Sequence, residues 1–313
     1  MNVIVTGSLG YDYIMDFSGK FADRIMPEKA HKISLSFLVD SLKKQFGGTA
    51  GNIAYTLKLL GVEPSLLAPA GNDFASYREF LEKNGISTEH ISVHDDVTMG
   101  SYFVVTDQED NQIGSFYKGA IAYADQLSIE TCLPADIVVI SPTEPQAMKK
   151  YVKECIEDKA PYIYDPAFQI ADFSAEELKE GIGGAKILIG NDYEIALIEQ
   201  KLALSHDDLK KMTPILITTL GAQGSRIESD GKTLEIPIAP PTSILDPTGA
   251  GDAYRGGFLA GYLRDFDLET CGRMGAVAAA YTVEMYGTVT HTYTKEEFSK
   301  RYTDCFNIVL PKI

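Results

Sequence analysis

Short apolar runs alternate with amphipathic stretches along the chain. Val3–Leu9 (VIVTGSL), Ser65–Gly71 (SLLAPAG), Asp136–Ser141 (DIVVIS), Tyr162–Ala167 (YIYDPA), Lys186–Asn191 (KILIGN) and Ile215–Leu220 (ILITTL) are rich in Ile, Val and Leu. Gly, Ser, Asn or Pro punctuates them, which is the signature of buried strands. Helical periodicity predicts helices over Thr49–Leu60, Phe74–Lys83, Pro145–Asp158 and Ser205–Met212, and again after Asp252. Strand and helix in alternation predict a doubly wound, mainly parallel α/β sheet flanked by helices. In such sheets ligands bind beyond the carboxyl ends of the strands.

Two stretches break the alternation. Asp16–Leu38 has no clear helical period, and Met99–Tyr117 reads as a hairpin around an acidic turn containing Asp110-Asn111. Both are expected to form one small inserted β lid, 16–38 and 99–117. The α/β domain then takes 1–15, 39–98 and 118–313.

Composition narrows the function. Apolar residues make up 45% of 313, enough for a sizeable core. A net charge of −16 argues against a broad nucleic-acid or anionic-membrane surface. It leaves room for a phosphate ligand, which backbone N–H groups can hold. Cys132, Cys155, Cys271 and Cys305 are widely spaced, and the five histidines make no pair at metal spacing. Reduced thiols and the absence of a leader or a membrane-length run give a cytoplasmic expectation.

The strongest chemical signal is DPTGAGD, Asp246–Asp252. Gly249, Ala250 and Gly251 carry little side chain, so their amides can converge on an anion at the start of a helix. Asp252 in the first turn suits a base that takes a proton from an attacking hydroxyl. An Asp N-cap after a Gly-rich turn fits the local pattern equally well. Gly256, Gly257 and Gly261 then indicate close packing against a strand or a ligand, or packing alone. GGTAGN, Gly47–Asn52, also opens a helix, and Asn52 could bind substrate hydroxyls or serve as a cap. Asn191 and Glu194 lie three apart after a strand, an oxygen pair suited to Mg²⁺ through water or to capping. Gly221 and Gly224 would admit a nucleotide or turn a hairpin. Asp12 follows the first strand and could accept bonds from a vicinal diol.

Together these positions resemble the ribokinase (PfkB) family of carbohydrate and nucleoside kinases. GGTAGNIA with Gly61 and Gly71 is similar to its N-terminal signature, and DPTGAGD to its C-terminal one. The resemblance spans essentially the whole chain and implies an α/β domain with a β lid. It implies Asp252 as catalytic base and Gly249, Ala250 and Gly251 as anion hole. Asn191 and Glu194 match the NxxE motif that organises Mg²⁺ and phosphate. Asp12, Gly48 and Asn52 match residues that hold sugar hydroxyls, and Thr219, Gly221 and Gly224 the ATP-side loop. Asp246 and Thr248 match positions that bind a monovalent cation, such as K⁺, in some members.

Arg255 within DPTGAGDAYRGGF and the run FGGTAGNIAYTLKLLG are closest to prokaryotic nucleoside kinases of adenosine-kinase type. The lid aromatics Tyr102, Phe103, Phe116 and Tyr117 could stack a base, with Phe103 and Phe116 taken as the substrate contacts. The expected activity is MgATP-dependent phosphorylation of a ribose 5′-hydroxyl. The alternatives are a free-sugar kinase on the same machinery and a catalytically silent sugar or nucleoside sensor. An exposed lid edge predicts a homodimer.

Overall fold

The computed structural model describes residues 1–25, 35–109 and 111–313. Much of the 16–38 stretch, at 26–34, and Asp110 of the expected acidic turn lie outside the described residues. In chain order the strands are β1 (Asn2–Thr6), β2 (Gly10–Asp16), β3 (Ser41–Gly47), β4 (Glu63–Gly71), β5 (Ile91–His94), β6 (Gly100–Thr106) and β7 (Gln112–Tyr117). They continue with β8 (Ile137–Ile140), β9 (Tyr162–Tyr164), β10 (Ile187–Asn191), β11 (Ile215–Thr219), β12 (Ser225–Ser229) and β13 (Lys232–Ile236). The helices are α1 (Thr49–Leu59), α2 (Ala75–Lys83), α3 (Pro145–Glu157), α4 (Ala175–Gly184), α5 (Asp192–Leu202), α6 (His206–Leu209), α7 (Ala250–Tyr262), α8 (Leu268–Val283) and α9 (Lys295–Phe306).

The main sheet has the order β13-β12-β11-β10-β9-β8-β1-β4-β5. Its strands are parallel except β12 and β13, which form an antiparallel edge. Successive side chains of β1 alternate between two cores. Val3 and Val5 pack with α1, α2, α7 and α8, while Ile4 packs with α3, α4 and α5. A strand buried on both faces must be apolar at every position, which is why these runs do not alternate. Strand order reverses between β1 and β8, so the crevice for ligands opens at the carboxyl ends beside them.

A second sheet, β3-β2-β6-β7, stands apart from the first. It takes Gly10–Asp16 and Ser41–Gly47 as strands, most of which the sequence reading had assigned to the main domain. Short polar-apolar strands carry little signal of which sheet they join, and only the pairing of β2 with both β3 and β6 decides it. The expected helix over Ser205–Met212 shrinks to α6. The chain must turn at Thr213 to enter β11, and Pro214 disfavours helical backbone just before it.

The glycines of α7 serve helix packing. A Cβ on Gly256 would lie 2.7 Å from Thr56 Cβ of α1, and one on Gly257 2.6 Å from Met274 O of α8. Each mid-helix glycine costs about 1 kcal/mol relative to alanine. Here that cost lets three helices approach at the site. No helix among the described residues is long and apolar enough to cross a membrane.

Candidate active site

Helices α1 and α7 both begin at a glycine in the left-handed region. Gly48 caps α1 with φ 93°, and Gly249 caps α7 with φ 78°. A side chain at Gly48 would press on Ser8 O at 2.5 Å, and one at Gly249 on Thr288 Cβ at 2.8 Å. Non-glycine residues pay for such backbone with strain. The two helix starts face each other, and Asn52 Nδ2 donates to Asp252 Oδ2 at 2.8 Å.

Asn52 is held in one orientation. Thr288 Oγ1 lies 2.7 Å from Asn52 Oδ1 and 2.9 Å from Phe46 O. Because an ionised Asp252 carboxylate can only accept, the Asn52 amide presents its NH₂ to it and turns Oδ1 to the Thr288 hydroxyl, whose single proton Phe46 O and Asn52 Oδ1 share. Burial pushes the Asp252 carboxyl up to about 6; the Arg255 guanidinium and the Asn52 bond oppose this, and Asp165 and Asp12 add to it. A carboxyl tuned toward neutrality in a cleft is the kind of group that acts as a general base. At the start of α7, Ala250 N turns back to Pro247 O at 3.3 Å. The amides of Gly249 and Gly251 have no backbone acceptor among the described residues. Of the three amides expected to converge on an anion, two thus lack a backbone acceptor among the described residues, and that of Ala250 is engaged within the turn.

Asp246 ties loops together. Its Oδ1 accepts from Thr248 N at 2.9 Å and its Oδ2 from Gly287 N at 3.0 Å. Asp12 on β2 is raised to about 6 by burial and then by the charge of Asp246. Asn191 caps α5 and forms a reciprocal box with Glu194: Glu194 N donates to Asn191 Oδ1 at 2.8 Å, and Asn191 N to Glu194 Oε2 at 2.7 Å. Asn191 stands beside Thr219 in the β10–β11 register, so the box borders the loop that carries Gly221 and Gly224.

Beyond Thr219 lies a cleft of about 370 Å³. Gly221, Gly224, Ile238, Ile244, Ala250 and Gly251 are among the residues that line it. Gly224 has a second duty, because a Cβ there would collide with Ile236 O; the turn into β12 requires glycine.

Register separates the aromatics of the second sheet. Asp12 pairs with Tyr102, Tyr102 with Phe116, and Asp12 with Gln45, so these four share one face. Tyr13 pairs with Phe103, and their rings stack at 4.7 Å on the opposite face. Phe103 therefore faces away from Asp12, against expectation, while Phe116 shares its face. Tyr102, one of the four aromatics expected to be able to stack a base, shares the Asp12 face with Phe116. Two residues at the site carry no sequence expectation: Thr288 sits in a loop without pattern, and Asp165 follows β9 directly. Asp165 was visible as an acid just past a strand, in YIYDPA.

The chain belongs to the pfkB family of carbohydrate kinases, whose model matches residues 13–295. It is a kinase of this family, with the ribokinase-like fold. It is 34% identical over 311 residues to a nucleoside kinase of Methanothermobacter thermautotrophicus, covering 96% of each chain. Among solved structures, the Burkholderia thailandensis nucleoside kinase in complex with inosine superposes with a TM-score of 0.90 at 32% identity, covering 98% of this chain and 99% of that one. The same enzyme in its ADP-inosine complex superposes with a TM-score of 0.88 at 32% identity, covering 99% and 98%.

Proposed function

We propose that this kinase transfers the γ-phosphoryl group of ATP to the 5′-hydroxyl of a nucleoside, adenosine or a related purine nucleoside, with Asp252 as the base. The observation that carries this reading is the Asn52–Asp252 contact at the paired helix starts, where an acid whose carboxyl burial pushes up to about 6 sits beside two amides with no backbone acceptor among the described residues. The inosine and ADP-inosine complexes of the Burkholderia thailandensis relative support a nucleoside acceptor.

The acceptor would lie between the Asp12 face of the second sheet and Asp252. Asp12 and Asn52 hold ribose hydroxyls, with Gly48 letting the backbone approach, and Tyr102 and Phe116 offer flat surfaces to the base. ATP lies along the apolar cleft, its phosphates toward the start of α7. Asp252 takes the 5′-hydroxyl proton as the oxygen attacks the γ-phosphorus. The O–P bond to the β-phosphate breaks, and ADP leaves with that bond's electron pair. The amides of Gly249 and Gly251, with the positive end of α7, stabilise charge on the phosphoryl oxygens in flight.

Glu194 fits a hydrated Mg²⁺. One oxygen is spent on the Asn191 amide, and the other makes no hydrogen bond among the described residues. Bound there, the ion would neutralise phosphate charge. A potassium ion at the Asp246–Thr248 turn would share the Asp246 carboxylate with two backbone amides, since each of its oxygens already accepts one. A homodimer through the second sheet is supported by Leu42, Phe103, Ile113 and Tyr117, exposed on the face opposite Asp12. The mass in solution tests it.

The deciding experiment measures ADP release with MgATP against adenosine, inosine, guanosine, cytidine, ribose and fructose, with and without K⁺. Turnover on purine nucleosides is the expected result. Turnover confined to free sugars rejects the acceptor. No turnover on any acceptor returns the chain to a binding role.

A further inference from the structure

One buried cation lies among carboxylates from three separate elements. Arg255 Nε is 2.5 Å from Asp165 Oδ2, and Nη2 donates to Asp165 Oδ1 at 2.9 Å. The two side chains are only 10% and 2% exposed. Arg255 lies one turn beyond Asp252 on α7, and a Cβ on Gly251 would come 2.8 Å from its Nη1. The amide-bearing turn is therefore built around this guanidinium. Its field also reaches Glu194 at the start of α5.

Burying two charges is itself costly, and apolar residues often replace a buried ion pair with no loss of stability, so this pair is weak evidence of a stabilising role. Asp252 and Glu194 both lie in the field of this guanidinium, where, on the proposed function, a polyanionic nucleotide enters. We propose that Arg255 is a positioning residue for phosphoryl transfer. Anchored by Asp165 and seated against Gly251, it supplies the positive charge that lets Asp252 and Glu194 work in one buried site, and it fixes the first turn of α7 against the end of β9. The inference rests on Asp252 being the base.

The groups that act on Asp252 are Asn52 from α1, Arg255 from its own helix, Asp165 after β9 and Asp12 from β2, while Tyr77 of α2 lies in its field. The two members of the ion pair act on Asp252 with opposite sign. The test is the acidic limb of kcat/KM against pH for the full chain, with MgATP and adenosine or inosine. Arg255→Met should lower kcat/KM about 10–100-fold at pH 6.5, mostly in kcat, and move the limb up by about one pH unit. Asp165→Asn should move the limb down, and Arg255→Lys should recover part of the wild-type profile. Thermal unfolding is followed in parallel, and Asp165→Asn carries the test alone where Arg255→Met does not fold, because it leaves Arg255 in place. Limbs that stay fixed in folded variants, or that move in the same direction, overturn the proposal. Asp252→Asn separates the two readings: wild-type turnover there removes the base itself, whereas a dead Asp252→Asn with unmoved limbs removes only the role of Arg255.

Discussion

The starts of α5 and α7 look alike in sequence and differ in the fold. Each places an acid in the first turn after a strand or loop. At α5, Asn191 and Glu194 satisfy each other's backbone amides, which is what an ordinary capping box does for stability. At α7 the cap is a left-handed glycine with no side chain to offer. Asp252 turns away to Asn52 on another helix, and the amides of Gly249 and Gly251 have no backbone acceptor among the described residues. A helix start that closes on itself stabilises the fold, and one left open is available for chemistry. Glu194 can do both, because capping uses only one of its oxygens.

The largest effect should come from Asp252→Asn. We expect kcat to fall about 10²–10⁴-fold while ADP binding, followed by calorimetry, is nearly unchanged. Near-normal turnover would put α7 in the same structural class as α5. The same variant should gain stability. The Asp252 carboxyl is held at about 6 in the fold against 3.8 when free, so the native state binds its proton more tightly. That contribution is fully present below about pH 4 and is lost as pH rises through about 6. Above pH 6 the charge is a burden of up to about 3 kcal/mol, which asparagine does not carry. Unfolding midpoints of the two proteins should converge at pH 4 and separate by pH 7.5. A gap independent of pH would show that Asp252 is not held in a strained charge state.

Phe116→Ala and Phe103→Ala form the next contrast, this time between two faces of one sheet. Loss of a base-stacking ring should weaken nucleoside binding by about 1–3 kcal/mol for Phe116, read as a raised KM, and leave KM unchanged for Phe103. Equal effects would mean that the face assignment does not govern acceptor binding. The smallest effect is expected for Glu194→Gln. Its amide can still cap α5, so stability should change by no more than about 1 kcal/mol. The Mg²⁺ concentration for half-maximal turnover should rise. An unchanged Mg²⁺ dependence would reduce Glu194 to its capping role.

The α/β alternation was legible because strands buried on both faces must be apolar throughout, and this is a local property of the sequence. Gly48, Asn52, Gly249 and Asp252 were legible for a related reason. Left-handed backbone and close approach to a helix start demand particular residue types at fixed spacing. Asp165 was legible in principle, as an acid just past a strand. Thr288 was not, because a loop threonine carries no pattern and its meaning comes only from lying against Gly249 and Asn52.

Pairing was the other thing that only the tertiary structure decided. A shift of one residue in β6 against β2 exchanges Tyr102 for Phe103 on the Asp12 face, and no property of either residue fixes that shift. The division between the two sheets depended on the same long-range pairing. So did the charge on Asp252, which is set by burial and by Asn52, Arg255, Asp165 and Asp12 arriving from four places in the chain. The sequence by itself determined which residue types stand at the strand ends and helix starts, because backbone geometry selects them locally. Only the fold decided which of them meet, because electrostatics and pairing act through space between residues far apart along the chain.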